Sequence, residues 1–320
     1  MKRRVAAVNL GCCQPGNACL LCGPAPVVPE PDSIAALASS LDATDAPSWV
    51  GFYGGRPPTD VELEAVQGHP ITVRVRPDLL SRADVPRLLN AGVEAIELDV
   101  LTVDDRVLRG INRRYRRALV MEQLQGLHRI EVECGAVLAP GLPGSNFTTA
   151  TEDARVVAPW VEVARLHPVL VLRHSGLYGA LLNQAYAPLT MGEAVTVCRA
   201  MLDILEEKEV RVLRVGQQAG PDGIGIVAAG PAHPSFRELV EARRTLDTVR
   251  AVLREAGWVG DLPPGGHIEL RCSPQDVSRT RGPLNQHVRA LRAEYGLDEI
   301  TIHPDPTLPR GHFRVNEKTG

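Results

Sequence analysis

The chain has 320 residues, 44% of them hydrophobic and 23% charged, with a formal net charge of -3. These values fit a soluble globular protein with a large core and give no global pull toward nucleic acid, so a polyanionic partner would need a local basic patch. No run approaches the roughly 18 apolar residues of a membrane span, and the apolar part of the basic start MKRRVAAVNL is too short for a signal peptide. The expected setting is the cytoplasm, off any membrane, where crowded thiols serve metal or redox chemistry rather than disulfides.

In chain order, short β-branched runs alternate with helical patterns. The predicted strands are 5–10, 49–54, 71–76, 95–100, 130–138, 169–173 and 210–215. Between them lie predicted helices over 32–41, 59–67, 81–91, 116–127, 148–164 and 190–207, with Asp32 and Ser81 as N-caps and Gly92 closing the third. Strand and helix in regular succession predict an α/β fold with a parallel sheet. About seven such strands point to a partial (β/α) TIM-type barrel.

The Gly- and Pro-rich stretch 216–234 is the best linker. It divides the chain into a barrel domain over 1–230 and a small C-terminal α+β domain over 231–320. The latter is predicted to hold a helix at 235–255, a strand at 268–272, a helix at 283–295 and a strand at 299–302.

Four of the seven cysteines, Cys12, Cys13, Cys19 and Cys22, fall in the stretch GCCQPGNACLLCG. Tetrahedral zinc would need the adjacent Cys12 and Cys13 to face one ion together with the single C-x2-C knuckle, which strains the chain. Three thiolates on one glycine-bearing loop suit a [4Fe-4S] cluster whose fourth iron stays open. Cys134, Cys198 and Cys272 stand singly and read as packing. Of the nine histidines, His174 is a candidate to face the barrel cavity, with a structural role as the alternative.

A strand that ends in this cysteine loop, followed by FYGGRPP at 52–58, resembles the radical S-adenosylmethionine (SAM) superfamily. RPD at 76–78, the stretch from Ala95 to Asn112-Arg113, APGLPG at 139–144 and GNACLLC itself are similar to the branch containing the catalytic subunit of Elongator. The tail from Glu269 resembles bacterial radical SAM proteins that lack that subunit's acetyltransferase domain.

The resemblance implies a [4Fe-4S] cluster held by Cys19, Cys22 and one of Cys12 and Cys13. It implies SAM as a second cofactor, with Gly54 and Gly55 near its amino group and Arg113 at its carboxylate. The implied reaction is reductive cleavage of SAM to a 5'-deoxyadenosyl radical, fed by a reductant protein such as flavodoxin or ferredoxin and acting on an unidentified small-molecule or RNA substrate. Arg56, Arg74 and Leu101 replace polar residues common in the family. They motivate the alternative of a degenerate member that keeps a cluster or zinc without cleaving SAM. A third reading makes NRRYRR, Asn112 to Arg117, a contact for tRNA, against the plain alternative of a helix start with solvated arginines.

Overall fold

The computed structural model describes residues 4–11, 20–21, 29–42, 48–217, 227–258 and 266–317. Cys12, Cys13, Cys19 and Cys22 lie outside these described residues. The chain divides into two compact units, Met1–Phe236 and Arg237–Gly320.

In the first unit the elements follow one another as β1 (Arg4–Gly11), α1 (Pro31–Asp42), β2 (Ser48–Gly54), α2 (Asp60–Glu64), β3 (Ile71–Val75), α3 (Asp84–Asn90), β4 (Val93–Leu101) and α4 (Asp105–Gly110). They continue through α5 (Arg117–Leu127), β5 (Glu133–Leu138), α6 (Phe147–Val157), β6 (Val163–Leu166), β7 (Val171–Leu172), α7 (Gly176–Leu182), α8 (Met191–Glu207), β8 (Arg211–Val215) and β9 (Val227–Ala229). Seven strands pair in the order β1-β2-β3-β4-β5-β6-β8, every neighbouring pair parallel. The sheet curls into a half-barrel, as the α/β alternation predicts.

Strand periodicity sorts the side chains onto two faces. Val50, Phe52, Ile71, Val73, Ile96 and Leu98 are fully buried on the helix-covered face. The helices answer with apolar stripes. In α8, Thr190 and Glu193 form a reciprocal capping box, and Ala194, Val197, Cys198, Met201 and Leu205 recur at three- and four-residue spacing along the buried side. Cys134, Cys198 and Cys272 are all buried, as expected of packing residues.

One barrel strand differs from its expected place. Residues 158–164 are predicted as the end of a long helix over 148–164, yet α6 stops at Val157, a short 3-10 turn at Ala158–Trp160 follows, and β6 begins at Val163. Pro159 has no N–H to continue the helical ladder and releases the chain into an extended conformation. The predicted strand 169–173 is instead the short β7, which pairs antiparallel with β9 outside the barrel sheet.

Helix α6 also carries a charge problem. Asp153 is buried and accepts hydrogen bonds from Thr102 Oγ1 (3.0 Å) and Val103 N (2.7 Å), which tie down the turn after β4. Burial pushes its carboxyl up to about 7, against the pull of those two donors. The unfolded carboxyl titrates near 4, so between about pH 4 and 7 the fold holds a proton that the unfolded chain has released, and stability should fall as pH rises through that window. Asp153→Asn keeps an acceptor and removes the charge. Thermal melts should show it at least as stable as wild type at pH 8, with a flatter profile between pH 5 and 7; an unchanged slope would refute the assignment.

The second unit holds α9 (Phe236–Glu255, its first residue in the first unit), β10 (His267–Cys272), α10 (Val277–Arg281), α11 (Gln286–Tyr295), β11 (Glu299–Pro304) and β12 (Phe313–Glu317). Its sheet runs β11-β10-β12, with β10 parallel to β11 and antiparallel to β12. Leu253, Ile268, Leu270, Leu291 and Tyr295 form its core. No helix among the described residues is long and apolar enough to cross a membrane.

Candidate functional site

At the C-terminal ends of the half-barrel strands, several sequence motifs meet. The register of β1 on β2 sets Gly11, the last residue before the cysteine segment, beside Gly54. The Gly55 carbonyl accepts from Arg76 N at 3.1 Å. Arg76 in turn forks onto Asp78 two residues on, through Nε (2.9 Å) and Nη2 (2.7 Å), so the RPD motif is a self-clamped turn.

Leu20 and Leu21, the two residues inside C-x2-C, are tied to the same end. Leu20 N donates to Ile111 O at 3.3 Å, and Leu20 O accepts from Leu177 N at 2.8 Å. Gly176 makes this approach possible, since a Cβ there would lie 2.7 Å from Leu20 Cδ2 and 3.3 Å from its Cα. Leu21 packs against an apolar cap of Leu101, Ile111, Ala139, Leu142, Val169 and Leu177. In the APGLPG loop beneath that cap, Gly141 adopts φ +93, a left-handed conformation that glycine takes without strain. Its carbonyl accepts from the Tyr186 hydroxyl at 2.6 Å.

Inside the half-barrel, the polar alternate positions of the strands line a cavity of about 740 Å³. Its walls include Val5 and Ala7 of β1, Trp49 and Tyr53 of β2, Thr72 and Arg74 of β3, Glu97 of β4, Arg165 and His167 at the end of β6, and Arg211, Leu213 and Arg214 of β8. Arg165 forks onto buried Glu97 through Nε (2.5 Å) and Nη2 (2.8 Å), and its guanidinium lies over the Tyr53 ring, 6.0 Å from the centroid. Glycine makes room for this pair: a Cβ on Gly135 would sit 2.8 Å from Glu97 Cγ. Asp99 bridges two arginines, pairing with Arg74 and, at 3.3 Å, with Arg113 Nη2. Burial alone would raise the Asp99 carboxyl, but the two guanidiniums outweigh it and hold it below the usual carboxylate range.

His167 is 8% exposed, and neither ring nitrogen has a hydrogen-bond partner. Burial, with Arg74 and Arg165 nearby, pushes its pKa down to about 3, so the ring is neutral.

Several expectations change here. His174 is exposed at φ 65 and is absent from the cavity lining; the cavity histidine is His167. NRRYRR runs from a turn at Asn112 through 113–116 into α5, whose N-cap is Arg116 and whose first residue is Arg117, so it does lead into a helix start as expected. Arg113 and Tyr115 point into the core, while Arg114, Arg116 and Arg117 are exposed. Tyr115 OH bonds the Asp99 carbonyl at 3.5 Å, which removes it as a platform for a base. Arg56 forks onto Glu62 (2.7 and 2.8 Å), Arg74 is engaged by Asp99, and Leu101 lies buried at φ 63. The lumen residues Glu97, Asp99, Arg165, His167 and Arg214 escape sequence reasoning. Their one signal is the polar alternation inside strands whose other face is apolar. Among the described residues, no group of three or more His, Cys, Asp or Glu side chains is set to hold a metal ion.

A family model described as the Radical_SAM C-terminal domain matches residues 161–247. The tRNA uridine(34) acetyltransferase of Dehalococcoides mccartyi (strain CBDB1) is 24% identical over 269 residues, 78% of this chain and 55% of that protein. Elongator complex protein 3 of Homo sapiens is 27% identical over 177 residues, 54% of this chain and 32% of that protein. The chain thus spans between about a third and about half of the length of these curated relatives. Among solved structures, archaeal Methanocaldococcus infernus Elp3 with an N-terminal deletion superposes with a TM-score of 0.60 at 17% identity, over 80% of this chain and 63% of that one. In its matched C-terminal domain the chain is similar to the radical SAM family, and in its half-barrel fold it is similar to archaeal Elp3.

Proposed function

We propose that the chain is a radical SAM enzyme whose first cysteine segment holds a [4Fe-4S] cluster at the C-terminal mouth of the half-barrel. The observation that carries this reading is the anchoring of Leu20-Leu21, the interior of C-x2-C, to Ile111 and Leu177 beside the mouth. The donor chemistry fits: Cys19, Cys22 and one of Cys12 and Cys13 supply three soft thiolates, which suit an iron–sulfur cluster with one open iron. When bound, cluster and SAM supply one-electron reductive cleavage of the sulfonium.

This chain's own residues do the positioning. The backbone at Gly54 and Gly55 is the candidate cradle for the SAM amino group. Arg113 is the candidate for its carboxylate, in a buried pocket that it shares with Asp99. The apolar cap around Leu101, Leu142 and Leu177 keeps water from the mouth. Arg56 and Arg74, where relatives often carry acids, are taken up by Glu62 and Asp99 and so stabilise the fold around the site rather than address SAM.

The test is anaerobic reconstitution with iron and sulfide counted, then dithionite, SAM and an assay for 5'-deoxyadenosine. About four irons per chain and 5'-deoxyadenosine are expected; one zinc and no iron after anaerobic purification would overturn the reading. Alanine at Cys19 or Cys22 should abolish cluster binding, and only one of Cys12→Ala and Cys13→Ala should do the same. An intact cluster that never cleaves SAM would favour the degenerate reading.

The exposed Arg114, Arg116 and Arg117, together with relatives named as tRNA uridine(34) acetyltransferases, favour tRNA as a second reading of the substrate. It predicts an affinity for tRNA that falls steeply with salt and weakens when these arginines are replaced by glutamine. No binding at low salt would exclude it.

A further inference from the structure

The end of β4 is held in a backbone form that leucine rarely adopts. Leu101 sits at φ 63, in the left-handed region, and is buried. Thr102 N reaches back past it to Val100 O at 2.8 Å, which closes a γ-turn of the rare, strained hand on Leu101. The register of β4 on β5 shifts over the same stretch, between Leu98 and Leu101. Strained residues of this kind persist only where their surroundings over-determine them, and they cluster at functional sites.

Asp153 of α6 supplies that constraint. Its Oδ1 accepts from Val103 N at 2.7 Å and from Thr102 Oγ1 at 3.0 Å, directly after the strained residue. Ahead of them, the Leu101 carbonyl accepts from Ala139 N at 2.9 Å. Asp153 and Thr102 are both buried. An apolar side chain would fill the place of Asp153 without the cost of burying a carboxyl, but it could not hold two donors.

From this clamp two routes lead to the C-x2-C segment. In the first, Leu101 belongs to the apolar cap with Val107, Ile111, Leu142 and Leu177, and Leu21 packs on that cap. In the second, Thr102 Oγ1 accepts from Asp104 N at 3.1 Å, and Asp104 caps α4 by accepting from Arg106 N (2.8 Å) and Val107 N (3.1 Å). Helix α4 ends at Gly110, and the carbonyl of its C-cap, Ile111, accepts from Leu20 N at 3.3 Å. One carboxyl thus stands behind both residues inside C-x2-C.

We propose that Asp153 is a positioning residue for the cysteine segment: its clamp on the Leu101 turn fixes the cap and the α4 end on which Leu20 and Leu21 are seated. That the seated thiolates hold a cluster rests on the reading given above; the clamp does not, and it can be tested without iron.

Amide hydrogen exchange of the full chain, resolved to single residues, compares wild type with Asp153→Ala, Asp153→Asn and Thr102→Val. In Asp153→Ala, exchange of Leu20, Val103 and Ala139 should speed up about tenfold or more, because a buried donor loses its acceptor. The central strand β3 should change far less. Thr102→Val keeps the Val103 bond to Asp153 but breaks the link to Asp104, so it should speed Leu20 more than Val103; it carries the comparison should Asp153→Ala not fold. Asp153→Asn still offers an acceptor and should keep exchange slow at all three amides. Unchanged Leu20 exchange in Asp153→Ala and Thr102→Val would overturn the proposal. So would acceleration by one common factor across Leu20 and β3, the mark of a global loss of stability, or exchange in Asp153→Asn as fast as in Asp153→Ala. After anaerobic reconstitution, the visible absorbance of Asp153→Ala should bleach in air several-fold faster than that of wild type or Asp153→Asn; equal rates would overturn the link to the cysteine segment. A wild-type chain that takes up no iron would sink the cluster reading alone, and Leu20 exchange would still decide the clamp.

Discussion

Arg165→Met should cost about 3–5 kcal/mol of folding stability, the range measured when one partner of a buried ion pair is removed. The Arg165 side chain is 15% exposed and that of Glu97 only 3%, so the stranded carboxylate has almost no access to water. One effect works the other way: removing Arg165 relieves its repulsion of Arg214. That relief acts between partly hydrated cations, whereas the lost pair is a two-pronged contact at 2.5 and 2.8 Å inside the lumen, and the loss wins. Since whole domains are stable by only about 5–15 kcal/mol, the single variant should express poorly or melt far below wild type. The double variant Arg165→Met, Glu97→Gln should recover most of the deficit, because no buried charge is left alone. A denaturant midpoint that does not recover in the double variant would show that the arginine acts through its packing on Tyr53 instead.

Asp99→Asn should be comparably damaging, at about 3–5 kcal/mol, although it barely changes the side chain's volume. The carboxylate is the shared counter-charge of Arg74 from β3 and Arg113 from the segment after α4. Neutralising it sets two guanidiniums against each other in a nearly dry place. The pH profile separates this from a packing defect. Asp99 has a depressed folded pKa, so its contribution is present above the unfolded value near 4 and is lost as pH falls through the folded value. Wild type should therefore weaken steeply on the acid side, while Asp99→Asn, already lacking the charge, should show a shallower acid limb. Equal acid limbs would count against the bridge.

Strands with apolar residues on one face, such as Val50 and Phe52 in β2 or Val73 and Val75 in β3, are legible because period-two burial against helices leaves a strong pattern. Strand β6 is not, because VEVARL follows a genuine amphipathic helix, and its two faces are a core and a polar lumen rather than a core and solvent. The cysteine segment stands out in the sequence by its spacing, but Cys12, Cys13, Cys19 and Cys22 lie outside the described residues. The lumen is not, because the partner of Glu97 lies 68 positions away at Arg165, and no local rule joins them. The same limit misdirects attention to His174. A histidine beside a strand-like run looks cavity-facing, but the run around it belongs to a small outer sheet, and His167 stands at the true strand end.

The position of β8 has a consequence for how the molecule opens. It is an edge strand of the half-barrel sheet, paired with β6 alone, and the connection between those two strands is the longest excursion between neighbours in that sheet. Loop-closure entropy grows with such an excursion, so β8 should dock late during folding and detach at the lowest cost afterwards. Amide hydrogen exchange should then be faster along 211–215 than along the central strands β3 and β4. Because Arg211, Leu213 and Arg214 of that strand line the lumen, the wall added last is also the one whose release would open the cavity to water.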